Sequence, residues 1–175
     1  MRVRNDSRGG DSCGIFIDGK SEYGINKQKT FINFFRDSAL LANTTECRVA
    51  LGHCRKASVG KVSIETAQPV ILYNEQGNVD YVLIHNGTIY NYQELAKKYI
   101  PEIDIKGLTD SQVMARIFYY KGYDCLDEYN GGAVFVIHDY RINKSLVFKG
   151  ASKKTTYSKE QEEERPLYYC FHNGR

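Results

Sequence analysis

Six short runs rich in β-branched and aromatic residues set the limits on what this chain can fold into: Cys13–Ile17, Arg48–Gly52, Tyr81–His85, Ala133–His138, Ser145–Phe148 and Leu167–Phe171. Their length, and the Gly, Asn and Asp residues around them, predict strands. Helical signals are fewer. Thr30–Leu41 carries apolar residues at helical spacing, and Asn91-Tyr92-Gln93-Glu94 has the form of a capping box opening a helix to about Tyr99. Asp110 is expected to cap a further helix through Val113, Met114, Ile117 and Phe118, stopping near Gly122. Strands in runs with few helices between them favour a largely antiparallel sheet covered by helices over a regular βαβ winding, an α+β fold.

The 175 residues fit a single domain, spanning 1–175. A hydrophobic fraction of 42% and a charged fraction of 26% are ordinary globular values, with no long apolar segment of membrane-spanning length. The polar start, Met1 to Asp11, has no apolar core of a secretory signal, so a cytoplasmic, reducing setting is expected. Five cysteines, at 13, 47, 54, 125 and 170, contain no CxxC pair; this speaks against a disulfide framework or a zinc ribbon and for small buried residues. The net charge of +3 is interspersed, which argues against a nucleic-acid footprint. Lys153 to Arg165 is polar enough for a mobile surface loop. No cofactor and no metal site are expected.

Four polar, glycine-containing stretches lie where strands end or helices begin: Arg8-Gly9-Gly10-Asp11, Gly52-His53-Cys54-Arg55, His85-Asn86-Gly87 and Thr109-Asp110-Ser111. Arg55 offers a planar fork suited to a carboxylate, and Asp110 an anion suited to an ammonium. Together they would grip an α-amino acid. Asn86 and Gly87 offer a side-chain amide and an unobstructed backbone N–H that can converge on a developing oxyanion. Taken singly, each has a plainer reading: Arg55 and Asp110 as surface charges, Asn86-Gly87 as a turn.

The ordered set RGGDSCG, GHCRKAS, AQP, HNGTIYNYQEL and TDS resembles that of class II, N-terminal-nucleophile glutamine amidotransferases, a family that includes amidophosphoribosyltransferase, glucosamine synthase and asparagine synthetase. The resemblance spans most of the chain and implies stacked, mostly antiparallel sheets covered by helices. It implies that Arg55 holds the glutamine carboxylate with help from Ser58, and that Asp110 holds the α-ammonium. His85 would belong to the glutamine-binding set chiefly by orienting the strand end, and Asn86 and Gly87 would form the oxyanion hole. Arg8 and Asp11 would brace the site. Lys56 stands where relatives often carry an aromatic residue, and Gln112 where an acid often follows.

The family's nucleophile is a cysteine at the mature N-terminus, whose α-amine serves as its base. Residue 1 is Met and residue 2 is Arg, so the resemblance implies a segment upstream of Met1, and a C-terminus shortened in the same way. Cys13-Gly14-Ile15-Phe16 is similar to the start of many relatives, but motif order favours Cys13 as the small residue closing the RGxDSxG element. Cys54 is read as a lining residue. Two functions are open at this point: a glutaminase releasing ammonia to a synthetase or transferase partner, and an inactive glutamine-binding sensor or partner module.

Overall fold

The computed structural model describes residues 11–25, 34, 38, 40, 47–56, 62–151, 154–158 and 167–172, with only the backbone path from residue 151 on. The expected helix over Thr30–Leu41 lies, apart from three isolated positions, outside the described residues. The chain divides into two compact units, residues 1–69 with 163–175, and residues 70–162.

Unit 1 holds a four-stranded sheet in the order β2-β1-β3-β9. Its strands are β1 (Ser12–Ile17), β2 (Lys20–Gly24), β3 (Val49–Arg55) and β9 (Leu167–His172). β1 pairs antiparallel with both β2 and β3, and β9 joins β3 in parallel. The tight β1–β2 turn works because Asp18 and Gly19 both adopt positive φ, 41° and 90°. Asp18 also ties this turn to β3, its carboxylate accepting the Arg48 and Val49 N–H groups at 2.9 Å each. One face of the sheet carries Cys13, Ile15, Ile17 and Cys54 into an apolar cluster with Phe34 and Cys47.

Unit 2 holds a five-stranded antiparallel sheet, β4-β5-β6-β7-β8. It is built from β4 (Val70–Tyr73), β5 (Val79–Ile89), β6 (Gly131–Asp139), β7 (Lys144–Ala151) and β8 (Lys154–Ser158). Two helices, α1 (Tyr92–Tyr99) and α2 (Asp110–Lys121), share one core with Tyr81, Leu83, Phe135 and Ile137 of the sheet. Val113, Met114, Ile117 and Phe118 are buried on α2 at the expected spacing. Each apolar side chain so buried contributes about 1.5–3 kcal/mol, enough to hold the short α1 and α2 that would be marginal alone.

Among the described residues, the α+β expectation is borne out by two mostly antiparallel sheets and the helices α1 and α2. All six expected strands form, several extending beyond the apolar run. Three further strands were not expected. β2 and β8 are polar in sequence and edge their sheets, each held by ladder bonds to one neighbouring strand. β8 also corrects the loop reading of Lys153–Arg165 over Lys154–Ser158. Residues 159–166 lie outside the described residues.

Two caps differ from expectation. Thr109, not Asp110, caps α2: its hydroxyl accepts the Gln112 N–H while the Gln112 side chain accepts the Thr109 N–H. Gln112 therefore serves the helix start. Asn91 precedes α1 without bonding its first turn; its amide instead donates to Glu128 O at 3.0 Å and accepts the Asn130 N–H at 2.7 Å. Among the described residues no helix is long and apolar enough to cross a membrane.

Candidate functional site

In unit 1, Arg55 is the last residue of β3, directly opposite Ser12 of β1, and only 6% exposed. Its guanidinium makes a long 3.5 Å contact with the Thr66 hydroxyl. Thr66 is itself fixed, its hydroxyl donating to Ser63 O and accepting the Ser63 N–H, both at 3.1 Å. The next residues, Ala67-Gln68-Pro69, run close over β1. A Cβ on Gly14 would lie 2.2 Å from Gln68 O, so only glycine lets this segment approach the strand. Tyr23 fastens its end by donating to Pro69 O at 2.7 Å. Arg8 and Ser58 lie outside the described residues. Cys13 is the second residue of β1, buried and paired on both sides, in keeping with a closing residue of its motif.

In unit 2, the motif His85-Asn86-Gly87 was expected at a strand end, but β5 continues through it to Ile89. Gly87 makes this possible. It sits at φ 138°, and a Cβ there would meet Gly132 O at 2.0 Å. Gly131 of β6, opposite Ile89, sits likewise at φ 146°, with Thr88 O at 2.0 Å from its own absent Cβ. The two glycines let β5 and β6 approach where side chains would force them apart. Gly87 is exposed and Asn86 half-buried.

Asp110 is the first residue of α2 and 5% exposed. With Thr109 capping the helix, its carboxylate turns to β5, where Oδ2 accepts the Ile89 N–H at 3.1 Å; Oδ1 accepts the Ser111 N–H at 2.9 Å. The positive end of the helix dipole favours the charge further. His85 lies behind it, Nδ1 4.0 Å from Oδ2 and 3.0 Å from the Ser111 hydroxyl, its ring stacked on Phe135 at 4.6 Å. Burial pulls the His85 pKa down to about 4, the Asp110 charge opposing that only in part, so the ring is neutral at pH 7. His85 thus brings no positive charge beside the Asp110 carboxylate, which is braced by backbone N–H groups.

The structure therefore gathers four of the expected residues, His85, Asn86, Gly87 and Asp110, on one strand and the helix start bonded to it. Arg55 belongs to the other unit. Sequence reading missed Thr66 and the Ile89 N–H as partners of Arg55 and Asp110. A threonine just before the Ala67-Gln68-Pro69 element was the one available signal for the first; the second is a backbone group with no sequence signature. No group of three metal-ligating side chains gathers among the described residues.

A family model described as a glutamine amidotransferase domain matches residues 37–173, more than half of the chain. The chain is similar to glutamine–fructose-6-phosphate aminotransferase (isomerizing) of Bacillus licheniformis, 28% identical over 153 residues, covering 86% of this chain and 24% of the relative. A protein of Methanocaldococcus jannaschii described as asparagine synthetase (glutamine-hydrolyzing) 2 is 29% identical over 143 residues, covering 76% of this chain and 25% of that protein. The aminotransferase of Streptococcus pneumoniae is 32% identical over 111 residues, 63% of this chain and 17% of its own length. The chain spans about a quarter or less of the length of these relatives.

Proposed function

Because the chain belongs to the class II glutamine amidotransferase domain family, we propose that it binds L-glutamine and hydrolyses the side-chain amide to glutamate and ammonia through a cysteine thioester. Arg55 takes the carboxylate with Ser58 assisting, Asp110 takes the α-ammonium, and His85 holds Asp110 and the strand in position. The attacking thiol is that of an N-terminal cysteine. Its α-amine, with a pKa of about 7.7–8.0, accepts the thiol proton and returns one to the departing ammonia. As the amide carbon becomes tetrahedral, the Asn86 side-chain N–H and the Gly87 backbone N–H receive the developing oxyanion.

The observation that carries this reading is the Asp110 carboxylate, held by the Ile89 and Ser111 N–H groups beside a neutral His85. A buried anion is costly unless it is held by donors and meets a cation. An α-ammonium is the cation this reading supplies, and the bond to Ile89 ties its anchor to the strand that carries Asn86 and Gly87. The family match runs through both units, which supports reading residues 1–175 as one domain. The ammonia is released to a synthetase or transferase, in a cytoplasmic setting, as the relatives' names and the cysteine usage suggest.

Calorimetric titration with L-glutamine tests the binding half, and ammonia release from a version extended upstream to an N-terminal cysteine tests the chemistry. Saturable binding and ammonia release are expected. Absence of glutamine binding in the well-folded protein would overturn the whole reading. Binding without ammonia release in the extended version would leave a glutamine-binding module in place of an enzyme.

A further inference from the structure

The antiparallel register of β1 on β3 sets Cys13 directly opposite Cys54, and their sulfurs lie 3.0 Å apart. Both are thiols in the structure. Directly opposed residues of an antiparallel pair have Cα atoms roughly 4.5–5.5 Å apart, inside the roughly 4.4–6.8 Å that a disulfide spans. A bond between them therefore needs no change of register. The two sulfurs sit on the apolar face with Ile15, Ile17, Phe34 and Cys47, whereas Arg55, one residue on, belongs to the opposite face with Ser12. The pair is thus separate from the glutamine reading and does not depend on it.

We propose that Cys13 and Cys54 form a redox couple, closed to a cross-strand disulfide by a low-molecular-weight disulfide such as oxidised glutathione. Cys13, 7% exposed, is the attacking group, and Cys54, fully buried, is the resolving one. The Cys13 thiol loses its proton and its sulfur attacks one sulfur of the oxidant, breaking the S–S bond and expelling one thiolate. The Cys54 thiolate then attacks the Cys13 sulfur and expels the second. Two protein thiols and one small disulfide become one protein disulfide and two small thiols: the protein sulfurs lose two electrons, the oxidant gains them, and both protons end on the released thiols. Cys125 should stay out of this exchange, because burial pushes its thiol up to about 12. Cys47 shares the apolar cluster and is the competitor to exclude.

The test is to incubate the native full chain with oxidised glutathione, block remaining thiols, and read the intact mass and the linked peptides. The expected product has lost the mass of two hydrogen atoms, carries no glutathione, and yields one peptide pair joined through Cys13 and Cys54. It should revert with dithiothreitol and unfold at a higher temperature than the reduced protein. Cys13→Ser and Cys54→Ser should each prevent the loss. A stable glutathione adduct without closure, a link through Cys47, or unreacted Cys13 and Cys54 under native conditions would each overturn the proposal, and all three readouts are obtained on the unmutated chain.

Discussion

Asp110 accepts the backbone N–H of Ile89 at 3.1 Å, so the first residue of α2 is bonded to the last residue of β5. That bond is what makes Asp110 more than a charged residue near a helix start. It fixes the carboxylate relative to the strand bearing Asn86 and Gly87, and it makes the charge and the hydrogen-bonding capacity of Asp110 separable by mutation.

Asp110→Asn keeps an acceptor for Ile89 but removes the charge. Glutamine affinity should fall by about 10- to 100-fold, the scale of a lost charge-assisted hydrogen bond, with little change in unfolding temperature. Asp110→Ala also strips the acceptor and should cost about 1–3 kcal/mol of stability. Calorimetry and urea unfolding on the two variants measure the two effects; equal affinity in Asp110→Asn and the unmutated protein would remove Asp110 from the binding role.

His85 gives the fold a pH dependence of defined sign. Its folded pKa is lowered from 6.5 to about 4, so between these values the unfolded chain binds more protons than the folded one. Stability from this group is therefore complete above about pH 6.5 and is lost as pH falls towards 4, by at most about 1.4 kcal/mol per pH unit. Urea unfolding between pH 7 and pH 5 should show this slope, and His85→Gln should flatten it. An unchanged slope in the variant would assign the effect elsewhere.

Gly87→Ala should be among the costliest single-methyl additions in unit 2. The new Cβ would meet Gly132 O at 2.0 Å and hold φ 138°, at a cost of about 2–4 kcal/mol from strain and overpacking together. Gly77→Ala is the control: it too has positive φ, 78°, but nothing lies within 4 Å, so only about 1–2 kcal/mol of backbone strain is expected. Equal losses in the two variants would mean that the close approach of β5 and β6 carries no penalty.

Cys13–Ile17 and Tyr81–His85, legible in the sequence, are strands whose own side chains are buried throughout. β2 and β8 stayed hidden because their polar residues become strand only through a neighbour's backbone. Asn86-Gly87 reads as a turn on its own, and what keeps it in a strand is Gly131-Gly132, more than forty residues away. At the site, residue types were legible and their bracing was not. A carboxylate near a helix start is visible in Thr109-Asp110-Ser111, but the share of labour, Thr109 capping while Asp110 reaches β5, depends on tertiary contact. Arg55 likewise showed its charge but not Thr66.

Two buried serines of unit 1 should respond to the same substitution with opposite signs. Ser12 is 1% exposed, and its hydroxyl has no hydrogen-bond partner among the described residues. Ser38 is 4% exposed, and its hydroxyl donates to Glu22 Oε2 at 2.6 Å. Burying a hydroxyl without a partner costs about 1–3 kcal/mol, whereas a bond to a charged acceptor contributes about 1.5–3 kcal/mol. Alanine keeps the Cβ and removes little volume, so cavity effects are small in both places. Ser12→Ala should therefore raise stability by about 1 kcal/mol, a rise in unfolding temperature of about 2–4 °C for a chain of this size. Ser38→Ala should lower stability by a similar or larger amount, because it also leaves the Glu22 carboxylate without its donor. Thermal unfolding of both variants under one condition is sufficient: a Ser12→Ala protein less stable than the unmutated chain would mean that this hydroxyl, opposite Arg55 on β1, finds a partner in solution.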